Sequence, residues 1–232
     1  MLAVRRAEER GHADHGWLNS YHTFSFANYH DPRHMGFSNL RVINDDIIAP
    51  SQGFGTHGHA DMEIVTYVLD GALEHKDSMG NGSVIRPGEL QRMTAGTGVF
   101  HSEFNHSSED QAHLLQIWIL PERNGLEPGY EQKLFPREEK RDQWRLVGSQ
   151  DGRDGSLTIH QDVSLLSTQL ETGVELDYAF SGARHGFLQV VQGAIEIDGQ
   201  SLAAGDAAAM QDQDSLVVRA IEEAELLLFD MA

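Results

Sequence analysis

Short runs of alternating or β-branched residues, each closed within a few positions by Gly, Asp or Asn, recur along all 232 residues, and no long stretch keeps a helical period. That pattern predicts an all-β chain. Met62 to Leu69 reads as a strand, and Asp70-Gly71 reads as a two-residue hairpin turn, because both positions tolerate positive φ. Ala72 to Lys76 is expected to return, Ser78 to Gly82 to turn, Val84-Ile85 to form a short strand, Pro87-Gly88 to turn again, and His113 to Leu120 to form a strongly apolar strand. Leu226 to Phe229 reads as a buried strand.

The turn spacing carries an internal echo. Tyr67-Val68-Leu69-Asp70-Gly71-Ala72 is answered by Val190-Val191-Gln192-Gly193-Ala194, and Arg86-Pro87-Gly88-Glu89 by Ala203-Ala204-Gly205-Asp206. Two similar β units in tandem are implied. Pro121 to Gly155 holds three Pro and a charged run at Arg137 to Arg141, which reads as a solvated linker, so the boundary is expected there, between 1–133 and 134–232.

Composition narrows the chemistry. With no Cys, disulfides, thiolate metal sites and a Cys nucleophile are excluded, and imidazole and carboxylate remain as metal ligands. A formal charge of −19 repels phosphate backbones and anionic headgroups, so direct binding of nucleic acid or of a membrane surface is not expected. The first ten residues lack the order of a secretory signal, and no apolar run is long enough to span a bilayer, so a cytoplasmic protein is expected.

Of the 13 His, 11 lie between His12 and His113. His57 and His59 are two apart and on a strand would share a face; His101 and Glu103 repeat the spacing. Neither pair is specific alone in a chain this rich in His. If both faces point inward, imidazoles and a carboxylate converge on a site suited to one divalent transition metal with positions left open. His12 and His15 read mainly as local hydrogen-bonding groups near a turn, and His30 and His34, flanking Pro32, as a surface loop. Trp17, Phe24, Phe26, Phe37 and Phe54 are candidates for core or for a pocket holding a flat substrate. Glu63, His113 and Gln116 are candidates for orienting the imidazoles, the alternative being a solvated strand face.

Context sharpens the pairs. His57-x-His59 is followed by Glu63, a strand and a Gly-bearing turn, and Gly96-Thr97-Gly98 with His101 and Asn105 comes some 40 residues later, which resembles the two motifs of the cupin jelly roll. The segments His22-Thr23-Phe24-Ser25-Phe26, Gly53-Phe54-Gly55-Thr56-His57, Asp61-Met62-Glu63-Ile64-Val65-Thr66-Tyr67-Val68, His75-x-Asp77-Ser78-Met79-Gly80-Asn81 and Ala95-Gly96-Thr97-Gly98 resemble the pirin family of two-domain cupins. The likeness covers most of residues 10–131 and is loose beyond about residue 135.

That resemblance implies metal ligation by His57, His59, His101 and Glu103, with Glu63, the ligand position of other cupins, outside the set. Iron as Fe(II) is the usual family assignment, with Zn, Mn, Ni or Cu as alternatives. The second unit has only His185 near the equivalent position, and is expected to be a degenerate, metal-free cupin. Gly58 stands where pirins usually carry Pro, which loosens that backbone. The implied activity is a dioxygenase of the quercetin 2,3-dioxygenase type, opening the central ring of a flavonol with O₂. There the ion would act as Lewis acid on the 3-hydroxyl, and Glu103, on detaching or reorienting, would relay its proton as the catalytic residue. The acidic body slows approach of polyphenolate anions, so a flavonol could be a side substrate. The alternative implied by the family is an iron-dependent regulator that binds a protein partner without catalysis. Two fused units already cover much of the surface a cupin dimer would bury, so a monomer is expected.

Overall fold

The computed structural model describes residues 2–232. In chain order the first strands are β1 (Leu2–Arg5), β2 (Gly11–Asp14), β3 (Leu18–His22), β4 (Leu40–Ile48), β5 (Gly53–His59) and β6 (Glu63–Asp70). β7 (Leu73–Asp77), β8 (Gly82–Ile85), β9 (Glu89–Thr94), β10 (Val99–Asn105), β11 (Ala112–Ile119) and β12 (Gly129–Leu134) follow. A single helical turn, α1 (Arg137–Lys140), precedes β13 (Arg145–Ser149), β14 (Leu157–Thr158), β15 (Val163–Leu170), β16 (Glu175–Ala179) and β17 (His185–Gln192). The last are β18 (Ala194–Ile197), β19 (Gln200–Ala203), β20 (Ala207–Gln211), β21 (Ser215–Ala220) and β22 (Ala224–Met231). The chain is all-β, as two cupin jelly rolls.

The compact units are not cut at a single point. One comprises residues 11–134 with 157–161, the other residues up to 10, 135–156 and 162–232. Each half of the exchange has its own bonds: β1 pairs along its whole length with β20, from Leu2↔Met210 to Arg5↔Ala207, and in residues 157–161 the His160 backbone N–H donates to Glu63. The charged run expected as a solvated linker is also more ordered than its composition suggests. Lys140 is 2% exposed and its ammonium lies 3.5 Å from Glu225 of β22.

In the N-terminal unit a seven-stranded sheet runs β12-β9-β6-β11-β4-β3-β2 and a four-stranded sheet runs β5-β10-β7-β8. The C-terminal unit repeats the plan, with β1-β20-β17-β22-β15-β13 in its larger sheet and β16-β21-β18-β19 in the smaller. The turn at Asp70-Gly71, expected to close a hairpin, instead carries the chain between sheets: β6 pairs with β9 and β11, while β7 pairs with β8 and β10. Gly is required there. Its φ is +73°, and an added Cβ would lie 2.6 Å from the Gln111 carbonyl oxygen. Gly193, its counterpart in the echo, makes the same transition from β17 to β18, also at φ +73°.

The units differ in what fills them. β21 alternates strictly, with Leu216, Val218 and Ala220 inward, and these join Leu188, Val190, Leu226 and Leu228 in one continuous apolar core. β10 alternates in the same sense, but its inward residues are Val99, His101, Glu103 and Asn105. Apolar packing in this unit lies at two levels. Leu18, Ile48, Val68 and Leu114 form one level; Ile64, Met93 and Val99 form another. Between them a buried polar row crosses the larger sheet through the pairs His22↔Asn44, Asn44↔Gln116 and Gln116↔Thr66. Core stability has been given up there for polar side chains, each of which needs a partner to avoid a cost of roughly 1–3 kcal/mol.

Candidate metal centre

β5 and β10 pair antiparallel and set His101 opposite His57, with His59 opposite Val99. The register slips between His101 and Glu103, so that Glu103 faces Phe54. A bulge of this kind re-aims a side chain, and such irregularities concentrate beside functional sites. The rings of His57, His59 and His101 gather with centroids 4.5 to 4.9 Å apart. One ring nitrogen from each lies within 4.8 Å of the others.

The protonation pattern suits a cation. His57 Nδ1 lies 2.8 Å from the Gly55 carbonyl oxygen, to which it can only donate, so Nε2 carries the lone pair. That Nε2 lies 3.0 Å from His101 Nε2. Burial, reinforced by the other imidazoles, holds the His101 pKa down to about 3, and burial with His57 beside it holds that of His59 down to about 4. Both are therefore neutral at pH 7, and ligation displaces no proton from them. Glu103 is 3% exposed, and burial raises its pKa above the ordinary carboxylate value, opposed by nearby His75 and by the amide of Gln116. Gln116 Nε2 donates to one Glu103 oxygen at 2.9 Å, and Thr66 Oγ1 lies 3.4 Å from the other.

A fourth imidazole, not among the sequence candidates, completes the cluster. His75 lies opposite Glu103 on β7 and is fully buried, and with His101 and Glu103 it forms a second potential metal-holding group. Its Nε2 bonds Asp77 Oδ2 at 3.0 Å, and its Nδ1 is buried with no hydrogen-bond partner among the described residues; His101 Nδ1 is likewise buried without one. Orphaned ring nitrogens beside a carboxylate are what a site completed by a cation leaves in the protein alone, so the residues present fit a divalent transition ion held by nitrogen and oxygen. The available signal was His75-x-Asp77, which repeats the two-residue spacing of the other pairs.

The cluster faces a cavity of 790 Å³, whose walls include Trp17, Phe26, Phe54 and Trp118. Trp118 packs edge-on against His59 at 5.0 Å, and Trp17 against Phe54 at 5.2 Å. Phe24 is core, and Phe37 lies in an isolated bridge with Leu40; neither lines the cavity. His12 and His15 line it, with His12 Nε2 2.7 Å from Asn19 Oδ1, whereas His30 and His34 do not. Of the residues expected to orient imidazoles, Gln116 reaches the carboxylate instead. Glu63 and His113 are directed elsewhere. Glu63 accepts the His160 backbone N–H at 3.2 Å, and His113 Nε2 bonds Asp45 Oδ1 at 2.6 Å on the opposite face of the sheet, because each alternates with an inward-facing neighbour, Ile64 or Leu114.

Two jelly rolls of this strand order, one presenting a His/Glu cluster able to hold a metal ion, define a two-domain cupin. The pirin family profile matches residues 3–119 and the quercetinase C-terminal cupin domain profile matches residues 146–231. The chain belongs to the pirin family. It is 51% identical over 231 residues to quercetin 2,3-dioxygenase of Escherichia coli, covering 100% of this chain and 99% of that one. A pirin-like protein of Caulobacter vibrioides is 41% identical over 233 residues, with full coverage of both. The crystal structure of the bacterial pirin YhhW from Escherichia coli in complex with nickel(II) superposes with a TM-score of 0.95 at 50% identity, covering 100% of this chain and 99% of that one.

The positions in the C-terminal unit that correspond by sheet order to the ligand strands carry Leu176 and Tyr178 on β16, paired with Val218 and Leu216 on β21. Two of these, Leu216 and Val218, are 3% and 0% exposed in the apolar core, and no metal-holding cluster occurs there among the described residues.

Proposed function

We propose that this protein is a metal-dependent dioxygenase of the quercetin 2,3-dioxygenase type, with one divalent transition ion held by His57, His59, His101 and Glu103 and a flavonol-like aromatic as substrate. The observation that carries the reading is the convergence of neutral imidazoles and a buried carboxylate on the wall of an aromatic-lined 790 Å³ cavity. The name of the Escherichia coli relative supports the same chemistry. We take Fe(II) as the working ion; the nickel complex of YhhW shows that a relative accepts another, and affinity order alone does not choose among Fe, Zn, Mn, Ni and Cu.

When bound, the ion supplies Lewis acidity toward the 3-hydroxyl of a flavonol. The remaining work falls to the chain. Glu103 would take the hydroxyl proton on detaching from the ion or reorienting, and the amide of Gln116 stays beside it to receive its free oxygen. Gln116 and Thr66 fix the direction of that carboxylate, and the rings of Trp118, Phe26 and Phe54 bracket a flat substrate and exclude water from its faces.

The iron-loaded protein should bleach flavonol absorbance in air, with release of carbon monoxide, and not under anaerobic conditions. His57→Ala and Glu103→Ala should each abolish the reaction. Turnover by both variants at the parental rate would refute the assignment.

A further inference from the structure

One wall of the cavity holds polar groups that the proposed reaction does not use. Ser20 on β3 and Asp46 on β4 are a cross-strand pair on the larger sheet, which carries none of His57, His59, His101 and Glu103. They line the same cavity and are 2% and 3% exposed. The Ser20 hydroxyl donates to Asp46 Oδ1, and no protein donor reaches Oδ2 among the described residues. The neighbouring pair, His22 and Asn44, is joined by a 2.8 Å bond from His22 Nδ1 to Asn44 Oδ1 and also lines the cavity. A carboxyl group so buried, on the wall of a space large enough for a drug-sized ligand and with a hydrogen bond to one oxygen, is a built hydrogen-bonding site that its own protein leaves half filled.

We infer that Asp46, positioned by Ser20, is a specificity-determining residue that recognises a phenolic hydroxyl of the aromatic substrate at a point other than the oxygen facing the metal. The inference rests on the flavonol reading and deepens it. The cavity then has two polar poles, the imidazole-carboxylate cluster on the smaller sheet and Asp46 on the larger, with Trp17, Phe26, Phe54 and Trp118 supplying apolar surface to the same space. A ligand that places a hydroxyl at each pole satisfies both. One that presents an unsubstituted ring to Asp46 leaves a buried carboxyl oxygen without a partner, and sites built to bind a hydroxyl discriminate strongly against analogues lacking it. Burial holds the Asp46 carboxyl at a pKa of about 7, so near neutrality it is available both as donor and as acceptor to a phenol.

The test is calorimetric binding to the metal-loaded protein without oxygen, comparing quercetin with 3-hydroxyflavone, which shares the metal-facing oxygens and lacks every other hydroxyl. The parent should prefer quercetin by at least about tenfold. Asp46→Leu, close to Asp in size but without a hydrogen-bonding group, should remove most of that margin and leave the 3-hydroxyflavone affinity unchanged, and Asp46→Ala should do the same. A structural lesion would weaken both ligands together, and that result, or a parent with no preference, overturns the inference even if a variant fails to fold. If neither flavonol binds the parent, the flavonol reading itself fails, and this inference falls with it.

Discussion

The neutral state of His101 makes the stability of the metal-free protein depend on pH in a way that one substitution isolates. The ring is 2% exposed and its pKa is held to about 3, against an ordinary value near 6.5. Between those values the unfolded chain binds a proton that the folded one refuses, so stability rises with pH and is lost as pH falls below about 6.5. From pH 7 to pH 5 the loss from this one ring integrates to about 2 kcal/mol. His59, held to about 4, acts in the same direction. Asp46 titrates the other way, because its folded pKa of about 7 lies above its unfolded value, and Glu103 shares that sign. Asp46, Glu103 and His59 remain in His101→Gln, so their contributions largely cancel in the comparison. Urea unfolding in chelator at pH 5, 6 and 7 should show the parent losing about 2 kcal/mol more than His101→Gln across that range. Parallel pH profiles for the two proteins would refute the claim that the fold keeps this ring neutral.

Other substitutions probe the neighbouring claims. Gln116→Leu removes the 2.9 Å donor to Glu103 and should weaken metal affinity about 10- to 100-fold, measured by competition with a chromophoric chelator, while the fold survives. Gly58→Ala is expected to raise stability by about 0.4–1 kcal/mol in chemical denaturation, since Gly58 does not have positive φ and the added Cβ meets only the ring of exposed Phe100 at 3.1 Å. Leu216→Ala should cost about 2–5 kcal/mol by cavity formation yet leave the metal content of the folded protein unchanged, because it lies in the apolar core of the C-terminal unit.

Much of this was legible in the sequence because β alternation is local. The spacing of His57 with His59 and of His101 with Glu103 stated which side chains share a face, and the echo around Gly71 and Gly193 marked two turns with the same job. Position across the fold was not legible. The spacing of His75 with Asp77 does not say that His75 stands opposite Glu103 until β7 is seen beside β10, and Asp46 and Ser20 are 26 residues apart until β3 and β4 pair. The same limit explains Asp70-Gly71, where turn chemistry fixes the backbone but not which sheet receives the next strand. It also explains Glu63. One position along β6 separates an inward residue from one that accepts hydrogen bonds from His160, and the sequence offers both faces equally.

The most direct measurement is the metal stoichiometry of the chelator-stripped protein after titration with a divalent transition ion, with elemental analysis of the dialysed product, repeated on His57→Ala and His101→Ala. One ion per chain in the parent, and none retained by either variant, is the expected result. Two ions per chain, or one that survives both substitutions, would contradict a single centre built from the imidazoles of the N-terminal unit.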